Sequence, residues 1–156
     1  MGSVDNEGSG HTREIAAHAP QAKRALAALT RAAAPLDHRL AELIKVRVSQ
    51  INGCAYCVDL HVAALRDAGE HPRRIDLVAT WRSAALFSPA ERAALALAEG
   101  LTRLPDRPAD EQLWDHAAAH WSEEELALIV MTTIAINAWN RYMIATGVPE
   151  PPLGES

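Results

Sequence analysis

Cysteine is nearly absent from this chain of 156 residues: Cys54 and Cys57 stand three apart, and no other position carries one. A disulfide scaffold is therefore excluded, and a chain of this length buries enough core to fold without one. An excess of positive charge is lacking too. Fifteen Lys and Arg against twenty Asp and Glu give a net charge of −5, which speaks against nucleic acid or an acidic membrane surface as partner. The opening MGSVDNEGSGHTRE has no basic stretch followed by an apolar one, so no signal peptide is expected and a cytoplasmic location follows by default. The longest apolar run, Leu126 to Ile136, meets Asn137, Asn140 and Arg141, short of the roughly 18 to 20 residues that a membrane span needs. A buried helix is expected there instead. Also missing are an internal repeat, a low-complexity block and any long polar–apolar alternation that would demand a strand.

What is present is helical patterning in a chain that is 49% hydrophobic. Asp37 after Pro35 opens one segment, and Ser88-Pro89-Ala90-Glu91 and Ser122-Glu123-Glu124-Glu125 read as capping boxes. Gly53, Gly69, Gly100 and Gly147 read as stops. The expected fold is all-α, a single domain over 12–147 of about six to seven helices, between a Gly/Ser-rich tail at 1–11 and a Pro-rich tail at 148–156. The signals place helices at 12–33, 37–52, 54–68, 72–86, 89–102, 108–119 and 123–146. The last is apolar nearly all round, as in the middle of a bundle or inside a subunit interface.

In a reducing cytoplasm, two close cysteines point to catalysis, redox chemistry or metal binding rather than to a permanent bridge. Wound as a helix, residues 54 to 68 put Cys54, Cys57, Val58, His61, Ala64, Leu65 and Ala68 on one inward stripe, with Asp59, Arg66 and Asp67 opposite. Cys54 follows Asn52-Gly53 at the first turn, where unpaired amide N–H groups favour a thiolate. Side chains three apart on a helix have Cβ atoms about 5 to 6 Å apart, slightly long for a disulfide but reachable at a helix start. His61 on the same stripe suits proton transfer to a cysteine. A lone histidine on an apolar face is more often a hydrogen-bonded core residue, and the shared cysteines reverse that reading. The other histidines, His11, His18, His38, His71, His116 and His120, share no face with the pair by local spacing.

On the preceding segment Leu36, Leu40, Leu43, Ile44, Val48 and Ile51 form the core stripe. Glu42 lies off it and, taken alone, reads as a solvated glutamate. Arg47 falls within the stripe and calls for a carboxylate or carbonyl partner. Haem attachment needs His directly after the second Cys, where Val58 stands. Zinc could take Cys54, Cys57, His61 and a fourth ligand such as Glu42, yet no second Cys or His pair follows at zinc spacing. Packing alone would also explain two buried cysteines.

The pattern Glu42, eleven residues, Cys54, two residues, Cys57, three residues, His61 resembles the core motif of the AhpD-like alkylhydroperoxidases within the carboxymuconolactone decarboxylase superfamily. The stretches LAELIKVRVSQINGCAYCVDLHVAALRDAGE, WRSAALFSPAERAALALAEGLTRL and INAWNRY are similar to that family as well, and the likeness runs over most of residues 20 to 147. It implies an AhpD-like helical bundle in a homo-oligomer, a trimer or hexamer, that reduces peroxides with its cysteine pair and needs no cofactor. By the resemblance Cys57 is the peroxidatic cysteine, Cys54 its resolving partner, and His61 and Glu42 the proton relay. With no third cysteine, an external dithiol has to restore the pair. Hydrogen peroxide and organic hydroperoxides both remain open as substrates. Two other readings remain beside this one: a decarboxylase-like lyase using His61 as acid or base, and a non-catalytic oligomer with packed or zinc-bound cysteines. Asn137, Asn140 and Arg141 share a face with Leu126, Val130 and Thr133 and read first as a buried polar network.

Overall fold

The structure is a computed structural model that describes residues 17–104 and 110–152. Among these residues there are seven α-helices and no strand: α1 Pro20–Ala32, α2 His38–Asn52, α3 Ala55–Asp67, α4 Pro72–Asp76, α5 Pro89–Thr102, α6 Glu111–Ala118 and α7 Glu123–Ala145, with a short 3₁₀ turn at Val78–Thr80. The expected all-α bundle is observed. The tail at 1–11, the expected helix start at 12–16, residues 108–109 and the last four residues of the C-terminal tail lie outside the described residues.

Helix α2 is the centre of the bundle and packs on α3, α7 and α5. It is buried on more than one side: Leu40, Leu43, Ile44 and Val48 face the core as expected, but Ala41, Glu42, Val46 and Ser49 are buried too. Asp37 caps its start by accepting from the Leu40 N–H at 2.9 Å. Gly53, at φ 70°, ends it in the left-handed conformation that a side chain rarely adopts. The chain turns there at once, so α3 runs back along α2. Both capping boxes form, at Ser88–Glu91 and Ser122–Glu125.

Three expectations need correction. The helix expected over 12–33 is not continuous: Ala19 is non-helical and α1 starts at Pro20, because the proline ring disfavours helical backbone in the preceding residue. Gly100 is no stop: it lies inside α5, where an added Cβ would come within 2.7 Å of Leu113 Cδ1, so glycine there permits close packing of α6. The expected helix at 72–86 breaks after Asp76. Its continuation is held by tertiary partners instead: the Arg92 guanidinium donates to the carbonyls of Trp81, Ala84 and Arg82, and Trp81 is buried. These carbonyls serve Arg92 rather than a helical ladder.

Helix α7 packs on α2, α1 and α5. Ile129, Thr133, Ala135 and Ile136 are buried, whereas Met131, Ile134 and Ile144 on its outer side are 37%, 47% and 52% exposed. No helix among the described residues is long and apolar enough to cross a membrane.

Candidate active site

The α2–α3 turn builds the site. Glu42 lies ten residues before the end of α2 at Asn52 and His61 six after the start of α3 at Ala55, so they stand about 15 Å and about 9 Å along their helices from the same corner. The two side chains meet: His61 Nδ1 is 2.7 Å from Glu42 Oε2. Lys45, one turn further along α2, donates to Glu42 Oε1 at 2.6 Å. Reading Glu42 as a solvated surface residue is thus overturned; its side chain is 5% exposed, shielded by its partners. Burial alone would push the Glu42 carboxyl up, but the hydrogen bonds and charges of His61 and Lys45 outweigh it and hold the group below its ordinary value. An ionised carboxylate only accepts, so His61 Nδ1 carries the proton toward it and Nε2 is the nitrogen left for exchange.

Cys54 is the N-cap of α3, with extended backbone at φ −90° and ψ 95°, and its Sγ accepts from the Cys57 N–H at 3.3 Å. Cys54 and Cys57 are joined as a disulfide across a Cα–Cα distance of 5.3 Å. Both are buried, at 2% and 3% exposure. A hydrogen bond from a helix-start amide to Sγ would equally stabilise a thiolate once the bond is opened.

An apolar cavity of about 440 Å³ lies between α1, α2, α3 and α7, and Cys57, His61, Glu42 and Lys45 are on its wall. Leu36, Leu60, Ile136, Trp139 and Met143 supply much of the rest. Cys54 is not on this wall. The single inward stripe expected for Cys54, Cys57 and His61 is therefore split. Cys57 and His61 keep their helical phase, while Cys54, an N-cap with non-helical dihedrals, does not.

The cavity also has residues that the local spacing passed over. His38 and Arg31 line it, although neither shares a helix with the cysteines. Thr132 lines it too, and its Oγ1 is the buried side-chain polar atom without a hydrogen-bond partner among the described residues. Lys45 had a signal in its three-residue spacing from Glu42. The others had none, because they reach the cavity from α1, the first turn of α2 and α7.

One structural expectation is met nearby, and a second in part, since of Asn137, Asn140 and Arg141 only Asn140 is buried. Arg47 has its carboxylate: Nε donates to Glu99 Oε1 at 2.5 Å, and Trp81 Nε1 and Arg82 join the same glutamate at 3.0 and 2.6 Å. Asn52 donates to Asn137 and Asn140, both at 2.9 Å, and Asn140 donates to Ser49. Arg141 donates to Asn137 from an exposed position. This network ties the α2–α3 corner to α7. Among the described residues no three His, Cys, Asp or Glu side chains are grouped to hold a metal ion, so the zinc set is not assembled in this disulfide form.

Fold and site together define an all-helical protein that carries a CxxC disulfide with its Cys57 side on the wall of an apolar cavity, beside a His61 paired with buried Glu42. Residues 19–100 match the carboxymuconolactone decarboxylase family, and the chain belongs to that family. The uncharacterized protein YdfG of Bacillus subtilis (strain 168) is 42% identical over 106 residues, 68% of this chain and 72% of that protein. The crystal structure of an Agrobacterium tumefaciens protein of unknown function, provisionally termed the antioxidant defence protein AhpD, superposes with a TM-score of 0.85 at 35% identity, covering 88% of this chain and 96% of that one. An uncharacterized peroxidase-related protein from Ralstonia eutropha JMP134, described as an alkylhydroperoxidase AhpD core, gives a TM-score of 0.76 at 28% identity over 86% of this chain and 73% of that one. The fold is AhpD-like.

Proposed function

We propose that the protein is a thiol-dependent peroxidase acting on organic hydroperoxides. The observation that carries this reading is the cavity: the Cys57 side of a closed CxxC pair shares an apolar wall with His61, whose orientation is fixed by buried Glu42. In the reduced form His61 takes the Cys57 proton, and the thiolate attacks the terminal peroxide oxygen. The O–O bond breaks, Cys57 becomes a sulfenic acid, and the alkoxide leaves as alcohol with the proton held at His61. The Cys54 thiol then attacks the sulfenic sulfur, water leaves, and the disulfide forms. An external dithiol returns two electrons and two protons. The apolar wall favours a hydroperoxide with a hydrocarbon body, since hydrogen peroxide would bury no apolar surface there. The lyase reading gives the cysteine pair no task.

The neighbours' descriptions as peroxidase-related and AhpD-type support the same reading. The exposed Met131, Ile134 and Ile144 on α7 support self-association of copies of this chain; sedimentation velocity reads it directly, and a monomer across the working concentration range would remove it. A cytoplasmic setting would keep dithiols at hand for regeneration.

The test is a thiol count on the reduced protein before and after one equivalent of cumene hydroperoxide. Two thiols should disappear, and Cys57→Ser should lose peroxide turnover while keeping its helical spectrum. Turnover that survives in Cys57→Ser removes the role given to that residue.

A further inference from the structure

The cavity is not the only opening at the disulfide. A shallower groove of about 540 Å³ runs along the other side of α3, and Cys54 lines it together with Gln50, Val58, Asp59 and Arg66. No residue is shared by the two openings. On α3 the cavity takes Tyr56, Cys57, Leu60 and His61, whereas the groove takes Ala55, Val58, Asp59, Val62 and Arg66; at 100° per residue these sets fall on opposite faces of the helix. The disulfide at the helix start thus joins a residue of one opening to a residue of the other.

We propose that the two half-reactions use different doors: peroxide reaches Cys57 through the apolar cavity, and the dithiol reductant reaches Cys54 through the groove. The proposal rests on the peroxidase reading above and adds which sulfur is reduced and from which side. Thiolate attack on a disulfide runs in line with the bond that breaks, so an attacker on the Cys54 side strikes Cys54 and expels Cys57. The attacking thiolate forms a mixed disulfide with Cys54 as the Cys54–Cys57 bond breaks, and the electron pair leaves on Cys57. That thiolate appears in the cavity that holds His61, in the state the next hydroperoxide needs. The second thiol of the reductant then attacks its own mixed-disulfide sulfur, closes the oxidised dithiol and releases Cys54, which takes up the second proton. The groove also differs in chemistry from the cavity: Asp59, Arg66 and Glu150 are on its walls, and a polar thiol carrier passes such a surface without being stripped of water. Product alcohol can still occupy the cavity while reduction begins.

The experiment traps the intermediate in the wild-type protein. Disulfide-form protein is mixed briefly with a monothiol, cysteamine, quenched in acid, alkylated and mapped by fragment mass across Cys54-Ala55-Tyr56-Cys57. The expected result is cysteamine on Cys54 and the alkyl label on Cys57, in at least about tenfold excess over the reverse. Adducts on Cys57, or an even split, overturn the proposal. The groove itself is tested by Arg66→Glu, for which the ratio of reduction rates by cationic cysteamine over anionic mercaptoacetate should rise about threefold or more; an unchanged ratio rejects the groove as the route. The disulfide is made in parallel with hydroperoxide and with diamide. If only diamide forms it, the peroxidase reading fails while the sulfur assignment is still read.

Discussion

Replacing Glu42 by glutamine keeps the shape of the side chain and removes its charge, which isolates the carboxylate's contribution to the relay. Glu42 is buried and binds His61 at 2.7 Å and Lys45 at 2.6 Å. A hydrogen bond to a charged group contributes about 1.5–3 kcal/mol and a neutral one about 0.5–1.5, so the substitution weakens the hold on a His61 that has taken the Cys57 proton by about 1–2 kcal/mol. At 1.36 kcal/mol per tenfold in rate, oxidation of the reduced protein should slow about 5- to 30-fold. The assay is the second-order rate of thiol loss with cumene hydroperoxide at pH 7, with thermal unfolding measured alongside. Lys45→Met, which leaves Glu42 its histidine, should slow the same step by less. A Glu42→Gln rate within about twofold of wild type, with unfolding unchanged, would refute the relay and reduce the Glu42–His61 contact to packing.

The remaining expectations concern binding, packing and acid stability. Thr132→Val removes a buried hydroxyl that has no partner among the described residues, so it should leave thermal stability intact and raise KM for cumene hydroperoxide several-fold; a fall in Tm with KM unchanged would place the hydroxyl in the fold instead. Gly100→Val drives a side chain into Leu113 and should cost about 1–3 kcal/mol, read as a Tm loss of about 2–4 °C per kcal/mol in a chain of this size; adding Leu113→Ala should restore part of it. Burial pushes the Glu99 carboxyl up, but hydrogen bonds from Trp81, Arg47 and Arg82 hold it below its ordinary value. With the folded pKa depressed, its stabilisation is present at neutral pH, above the unfolded value, and is lost as pH falls through the folded value. Glu99→Gln should therefore lower stability at pH 7 and flatten the acid limb of the stability curve, and an acid limb as steep as wild type would contradict the assignment. Asn140→Leu leaves Ser49 and Asn52 short of buried partners and should cost about 1–3 kcal/mol, measured by urea unfolding.

The sequence by itself determined the local elements and much of the chemistry. Periodicity, capping residues and the Gly53 turn specify the α2–α3 hairpin, and with it the placing of Cys54 at a helix start one turn before Cys57. These are matters of near neighbours on one chain, and neighbour effects are written in spacing. Arg47's need for a carboxylate was legible for the same reason, since a guanidinium on an apolar stripe has to be paired wherever its partner comes from. Tertiary structure decided what spacing leaves open. It buried Glu42 against His61 and Lys45, held the chain beyond the break at Asp76 by giving the carbonyls of Trp81, Arg82 and Ala84 to Arg92, and made Gly100 a contact instead of a stop. It also set Cys54 and Cys57 toward different openings, because a capping residue leaves the helical phase that governs its neighbours. A cavity walled by four helices exists only once they pack, and packing is settled by shape and burial summed over the whole chain.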